Sequence, residues 1–286
     1  MKIKTITYIL LPIFIYSIGC NEVDKTVEYT NNDLENGWQL QKQVTKEIDN
    51  LSFTFPSSGY AYDNRDAFVE ECIEAIKSDC ALLELPNYTE LIKIRFVSSR
   101  EEMHELTGMQ ASGLSNCWTK EVHLVANIEE EKNEGENLVK PPIKHELMHQ
   151  ISNVKWGYLW DNFEMDWMNE GLATLAENNC NDFNVEQIYR YLLEEDMLIS
   201  IDSLSNDFYE HEEMIAYHQS AYIVQCLIDL YGIEKFKELW KSESSNFEEV
   251  YEVPFSQMEI EINKNVMETY PKTININWDI FKEGCK

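Results

Sequence analysis

The sequence predicts an α+β protein: a small N-terminal mixed sheet with helices, then a mainly helical half that carries the candidate site. Three observations lead there. Short alternating runs such as Leu51-Ser-Phe-Thr-Phe55 and Glu121-Val-His-Leu-Val-Ala126 fall in the first half of the chain. From Pro141 onward apolar residues recur almost wholly at helical spacing. The 286 residues, 44% hydrophobic and 12% aromatic, suffice for a substantial buried core. Strands first and helices second is the order of α+β folds, and no repeat of fixed period interrupts it.

The first 20 residues stand apart. Lys2 and Lys4 precede an apolar run from Tyr8 to Ile18, and small residues then lead to Cys20. This is the three-part plan of a secretory signal. The run is shorter than the roughly 20 residues a spanning helix needs. Gly19-Cys20 resembles the lipobox of bacterial lipoproteins, with Ser17 where that pattern usually has Leu. The resemblance implies cleavage after residue 19, lipidation of the Cys20 sulfur, and an exported chain anchored to a bacterial membrane surface. An ordinary signal peptide with an incidental Cys20 is the alternative. Residues 20–45 are polar and read as a tether, with a turn at Asn36-Gly37.

A domain is expected over residues 46–270. Leu51–Phe55 alternates as a strand and Pro56 stops it. Asp63 is placed to cap a helix reaching about Leu83, whose Phe68, Cys72, Ile73 and Ile76 share a face. Leu91 to Ser98 reads as a strand. Ser99-Arg-Glu-Glu102 has the form of a capping box opening a helix to about Leu106. Gly108 and Gly113 mark a loop, Glu121–Ala126 a second strand, and 129–137 an acidic loop. Helices are predicted at about 141–153, 167–178, 184–196, 213–231, 233–242 and 255–269. Residues 271–286 read as a tail without clear assignment.

The net charge of −29, with no basic patch, argues against nucleic acid as a partner. Besides Cys20 the cysteines are 72, 80, 117, 180, 226 and 285, none spaced C-x-x-C. Export permits disulfides among them, but spacing does not choose the pairs.

The chemistry concentrates at Lys144-His-Glu-Leu-Met-His-Gln150. On a helix, residues four apart share a face, so His145 and His149 can turn imidazole nitrogens toward one metal ion. Zinc accepts such nitrogens with carboxylates in a tetrahedral set. Glu146, beside the first histidine, is placed to serve as a general base without binding the metal. Pro141-Pro142 sits where a helix start tolerates proline. Catalytic zinc usually takes three protein ligands, and Glu170 in Trp167-Met-Asn-Glu-Gly-Leu-Ala173 is the candidate third. Small Gly171 and Ala173 beside it permit close approach of a neighbouring helix.

His-Glu-Leu-Met-His followed by Trp-Met-Asn-Glu-Gly-Leu-Ala resembles the gluzincin metallopeptidases, the group that includes thermolysin and aminopeptidase N. The resemblance implies a gluzincin-like domain that binds one Zn2+ per chain through His145, His149 and Glu170, with Glu146 as base and a peptide or protein as substrate. Ala216-Tyr-His-Gln-Ser-Ala-Tyr-Ile-Val224 resembles a later segment of the same superfamily, and Tyr217 then matches its oxyanion-binding tyrosine. His218 is the competing donor. The strand Glu121–Ala126 would be the edge strand above the zinc helix, open to a peptide. His123 on it is not counted as a ligand, and His104 and His211 are expected at the surface.

The pattern also departs from the family. The gap between His149 and Glu170 is two residues longer than usual. The G-x-M-E-N segment that grips a free amino end is missing, Gly113-Leu-Ser-Asn-Cys117 being the nearest stretch in position. Thr174 stands where thermolysin-like enzymes place an Asp that steadies a zinc histidine. Endo- and exopeptidase readings both stay open. So does a binding lipoprotein that keeps the fold without turnover.

Overall fold

The computed structural model describes residues 30–36, 39–127, 141–158, 165–242 and 246–285. The signal-like segment, Cys20 and the acidic loop 129–137 lie outside them.

The sheet is six-stranded and mixed: β1 (Thr30–Asn36), β2 (Gln39–Ile48), β3 (Leu51–Pro56), β4 (Ile92–Val97), β5 (Gly113–Asn116) and β6 (Glu121–Val125), in the spatial order β1-β2-β3-β4-β6-β5. Strands β1 to β3 pair antiparallel, β4 runs parallel to both β3 and β6, and β5 returns antiparallel to β6. The parallel registers align Phe53, Ile94 and Val122 across the sheet, all three fully buried. Alternation in β3 puts Leu51, Phe53 and Phe55 inward. Phe96 then stacks on Phe55 at 4.9 Å and on Phe68 of the covering helix at 4.8 Å.

Two sequence expectations are corrected here. Glu121–Val125 is an interior strand; the edge belongs to Gly113–Asn116, expected to be loop. A short Gly-Leu-Ser-Asn run has little β propensity of its own and is held by pairing with β6. The second correction concerns the tether, because β1 and β2 draw residues 30–36 and 39–45 into the sheet.

Two helices follow β3, a single turn α1 (Tyr60–Asp63) and the long α2 (Arg65–Leu82). Asn64, not Asp63, is the N-cap of α2. Helix α3 (Arg100–Thr107) starts at Ser99, whose hydroxyl accepts from the Glu102 N–H, and ends at Gly108 in the left-handed region. Glu102 reaches back to the Ser98 N–H instead of Ser99, so the expected box is only half formed.

The helical half contains α4 (Ile143–Trp156), α5 (Asp166–Glu177), α6 (Val185–Glu194), α7 (Ile201–Asp207), a 3₁₀ turn (Phe208–Glu210), α8 (Glu213–Tyr231), α9 (Ile233–Lys241), α10 (Phe247–Tyr251), α11 (Phe255–Thr269) and α12 (Trp278–Phe281). Helices α4, α5 and α8 are buried nearly all round and form its centre. Helix α4 lies between α2, the β5 edge and α5, and α5 packs along α8. Gly171 permits that last contact: a Cβ there would meet the Ser220 carbonyl carbon and oxygen at 2.8 Å. Among the described residues, no helix is long and apolar enough to cross a membrane.

The stretch 271–285 is built into the fold. Ile276 and Phe281 are buried with Cys180, Ile188, Leu192, Met214 and Ile215. A disulfide joins Cys180 to Cys285, and Asn181 Nδ2 donates to the Gly284 carbonyl. Cys72, Cys80, Cys117 and Cys226 are buried and free.

Candidate metal centre

Helix α4 presents His145 and His149 one turn apart, and α5 brings Glu170 against both. His145 Nε2 stands 3.1 Å from Glu170 Oε2 and 3.1 Å from His149 Nε2, and His149 Nε2 is 3.2 Å from the same carboxylate oxygen. The three donor atoms thus form a nearly equilateral triangle. Ligands around a tetrahedral ion with bonds of about 2.0–2.1 Å are roughly 3.3 Å apart, so the triangle has the size a zinc-like ion requires.

The hydrogen-bond network fixes what each atom offers. Asn169 Oδ1 accepts from Asn153 Nδ2 at 3.0 Å and lies 3.1 Å from His149 Nδ1. An amide oxygen has no proton to give, so His149 Nδ1–H donates to it and Nε2 is the nitrogen left to face the carboxylate. Asn153 Nδ2 also donates to the His149 carbonyl at 3.0 Å. An imidazole nitrogen aimed at a carboxylate calls for a positive charge between them, a proton or a metal ion. The titration behaviour agrees. Burial depresses the His149 imidazolium, but the charge and hydrogen bond of Glu170 more than reverse this and raise its pKa to about 9. Burial lifts Glu170, yet the two histidines outweigh it and hold the carboxyl far below the usual range. Donor types, spacing and electrostatic demand all fit a divalent ion.

Glu146 points to the edge strand. It is buried, and that burial raises its pKa, with the neighbouring histidines opposing. The Ser115 backbone hydrogen-bonds its carboxylate. Gly113 lies directly against it: a Cβ there would stand 2.5 Å from Glu146 Oε1 and 2.7 Å from Pro142 Cγ. The edge strand therefore crosses immediately over this carboxylate.

Residues 130–252 match the Peptidase MA superfamily. That stretch contains His145, Glu146, His149, Glu170 and Tyr217, and the match supports a zincin-like peptidase fold for this part of the chain. Among solved structures, the chain is similar to an aminopeptidase N family protein from Idiomarina loihiensis, with 12% identity and a TM-score of 0.35. The similarity covers 90% of this chain and 46% of that one, so this chain spans less than half of that protein. No curated protein matches it.

Two tyrosines complete the surroundings. The Tyr217 ring lies 6.1 Å from the His145 ring, nearly parallel to it, and packs on Phe208 at 5.1 Å. Burial first, then the Glu170 charge, raises its pKa and keeps the hydroxyl protonated. Tyr209 did not emerge from the sequence. Its hydroxyl donates to Glu170 Oε1 at 3.0 Å, leaving Oε2 to face the histidines. It sits in a 3₁₀ turn outside any periodic run, and only its spacing before the α8 segment distinguishes it. Asn169 was likewise missed, although it lies inside the quoted Trp-Met-Asn-Glu motif. It orients one histidine, while the Thr174 hydroxyl is buried without a hydrogen-bond partner among the described residues.

The remaining histidines stand elsewhere. His104 is exposed, His211 half-buried, and His123 buried in the interior strand β6. His218 turns away from the centre: Nδ1 donates to the Met214 carbonyl at 2.9 Å, and Nε2 faces Cys285.

Proposed function

We propose that this protein is a zinc-dependent peptidase, exported and held at a bacterial membrane surface through lipid on Cys20. The observation that carries the catalytic part is the triangle of His145, His149 and Glu170 donor atoms, with the Glu146 carboxylate buried beside it under an edge strand. The anchoring part rests on residues 1–20 alone.

One zinc ion per chain would be held by His145 Nε2, His149 Nε2 and Glu170 Oε2; bound there, it supplies Lewis acidity toward a carbonyl oxygen and makes water a stronger acid. The protein's own groups do the rest. Strand β5 receives an extended peptide as a neighbouring strand, which places its backbone over Glu146. Glu146 takes a proton from the attacking water and delivers it to the leaving amine. Its raised pKa suits both halves of that exchange. Tyr217, kept protonated, donates to the oxygen on which negative charge develops. Asn169 and Tyr209 hold His149 and Glu170 in position.

The test is Glu146→Gln. The variant should keep about one zinc per chain by elemental analysis and lose cleavage of a mixed peptide library by about 10²–10⁴-fold. Equal cleavage by wild type and variant would overturn the mechanism. Zinc-loaded wild type that cleaves nothing would instead favour a peptide-binding protein with the same fold. Mass spectra of the digest separate endo- from exo-cleavage.

A further inference from the structure

A second group of ligand-type side chains lies where the C-terminal stretch is fastened to helix α8. Cys180, His218 and Cys285 offer two sulfurs and one imidazole nitrogen, all within 4.8 Å of one another. Cys180 and His218 are buried, and Cys285 is exposed. The imidazole is oriented for a ligand. Its Nδ1–H is committed to the Met214 carbonyl at 2.9 Å, so Nε2 carries a free lone pair. That lone pair faces Cys285 Sγ at 4.0 Å. Phe281 packs on the ring at 5.6 Å and holds it there. Burial lowers the His218 pKa to about 4, so the ring is neutral at pH 7 and has no proton to shed.

We propose that Cys180, Cys285 and His218 form a second metal site, alternative to the disulfide, that takes a thiophilic divalent ion such as Zn2+ when the cysteines are reduced. The disulfide and the ion are two closures of one clamp between the start of the α5–α6 connection and residues 276–285. Exposed Cys285 gives a small-molecule thiol or phosphine access to the bond. Reduction consumes two electrons and two protons and yields two thiols. The ion then displaces both thiol protons to solvent, and His218 adds its Nε2 lone pair with no further proton released. Zn–S bonds of about 2.3 Å and a Zn–N bond of about 2.0 Å place sulfur and nitrogen roughly 3.5 Å apart, against the 4.0 Å between Cys285 Sγ and His218 Nε2. This inference does not depend on catalysis at the first centre, whose ligands are nitrogen and oxygen only.

Cobalt distinguishes the two sites, because only thiolate ligands give an intense near-ultraviolet sulfur-to-metal charge-transfer band. The full chain is titrated with Co2+ before and after reduction by a phosphine. Oxidised protein should take up one equivalent without that band. Reduced protein should take up a second equivalent with it. Cys285→Ser should abolish band and second equivalent, and His218→Gln should weaken that equivalent at least about tenfold. Should reduction unfold the helices, their return on adding the metal supports the proposal, and failure to return overturns it. A reduced wild type that binds no second ion overturns it as well. So does a band that survives in Cys285→Ser, which would assign it to the remaining cysteines.

Discussion

Gly113 of β5 rests directly on Glu146 of α4, with no room for a side chain: a Cβ would come within 2.6 Å of Glu146 Cγ as well as 2.5 Å of Oε1. The edge strand and the candidate base are therefore set against each other by the absence of one methyl group. Pro142 Cγ closes the same space at 2.7 Å, so the carboxylate and not the helix start must give way. Gly113→Ala should displace Glu146 and reduce peptide cleavage by at least about tenfold, a part of what a general base contributes. Metal content should be unchanged. Paired kcat/KM and elemental measurements check both.

Asn169→Ala removes the acceptor that fixes the His149 tautomer and also strips Asn153 of a partner. The ring is then free to rotate or to carry its proton on Nε2. Metal affinity should fall about 10–100-fold, read by competition with a chromogenic chelator. Asn169→Asp, which still accepts from Nδ1–H, should recover most of it.

The two tyrosines should separate by kinetics. Tyr209 touches a candidate ligand, so Tyr209→Phe should weaken metal binding and leave the fully loaded enzyme with most of its kcat. Tyr217 lies beside the His145 ring and touches no candidate ligand oxygen, so Tyr217→Phe should keep the metal and lower kcat by about 10²–10³-fold. The reverse pattern would exchange their roles.

Asp79 of α2 is fully buried, and among the described residues neither of its carboxylate oxygens has a hydrogen-bond partner. Burial raises its pKa from 3.8 to about 8, with Lys144 opposing and Glu177 adding. The folded state then keeps a proton that the unfolded chain releases. Unfolding stability should fall as pH rises between about 4 and about 8, by up to about 1.4 kcal/mol per pH unit, and level off above that. Below about 4 both states hold the proton and the effect vanishes. Asn at this position removes the titration. Asp79→Asn should therefore raise the urea midpoint at pH 7 to 9 and leave it nearly unchanged at pH 4.

The helical half was readable because its apolar period runs unbroken. Predicted 213–231 and 255–269 coincide with α8 and α11. The His pair was legible for the same reason, since helical spacing alone brings residues 145 and 149 together. Glu170 needed a second helix at a definite distance; the demand for a third ligand and the small Gly171 and Ala173 pointed to it, and the motif resemblance added to that. What stayed hidden depends on contacts distant in sequence. Gly113–Asn116 is a strand because β6 is beside it, not because of its composition. Strands β1 and β2 are mostly polar, without regular alternation, and read as tether until paired. Tyr209 and Asn169 act through single hydrogen bonds that leave no periodic trace. The tail has too few apolar residues to predict a core, yet Cys285 finds Cys180 across 105 positions.

That long-range bond also makes a closed covalent ring of everything from α6 to α12. One cut anywhere between residues 181 and 284 opens the ring but separates nothing: Tyr217 stays tethered to the half that carries His145. For a chain proposed to hydrolyse peptides beside copies of itself, a single nick is thereby survivable. Two cuts, or one cut after the clamp has been released, are needed to lose a fragment.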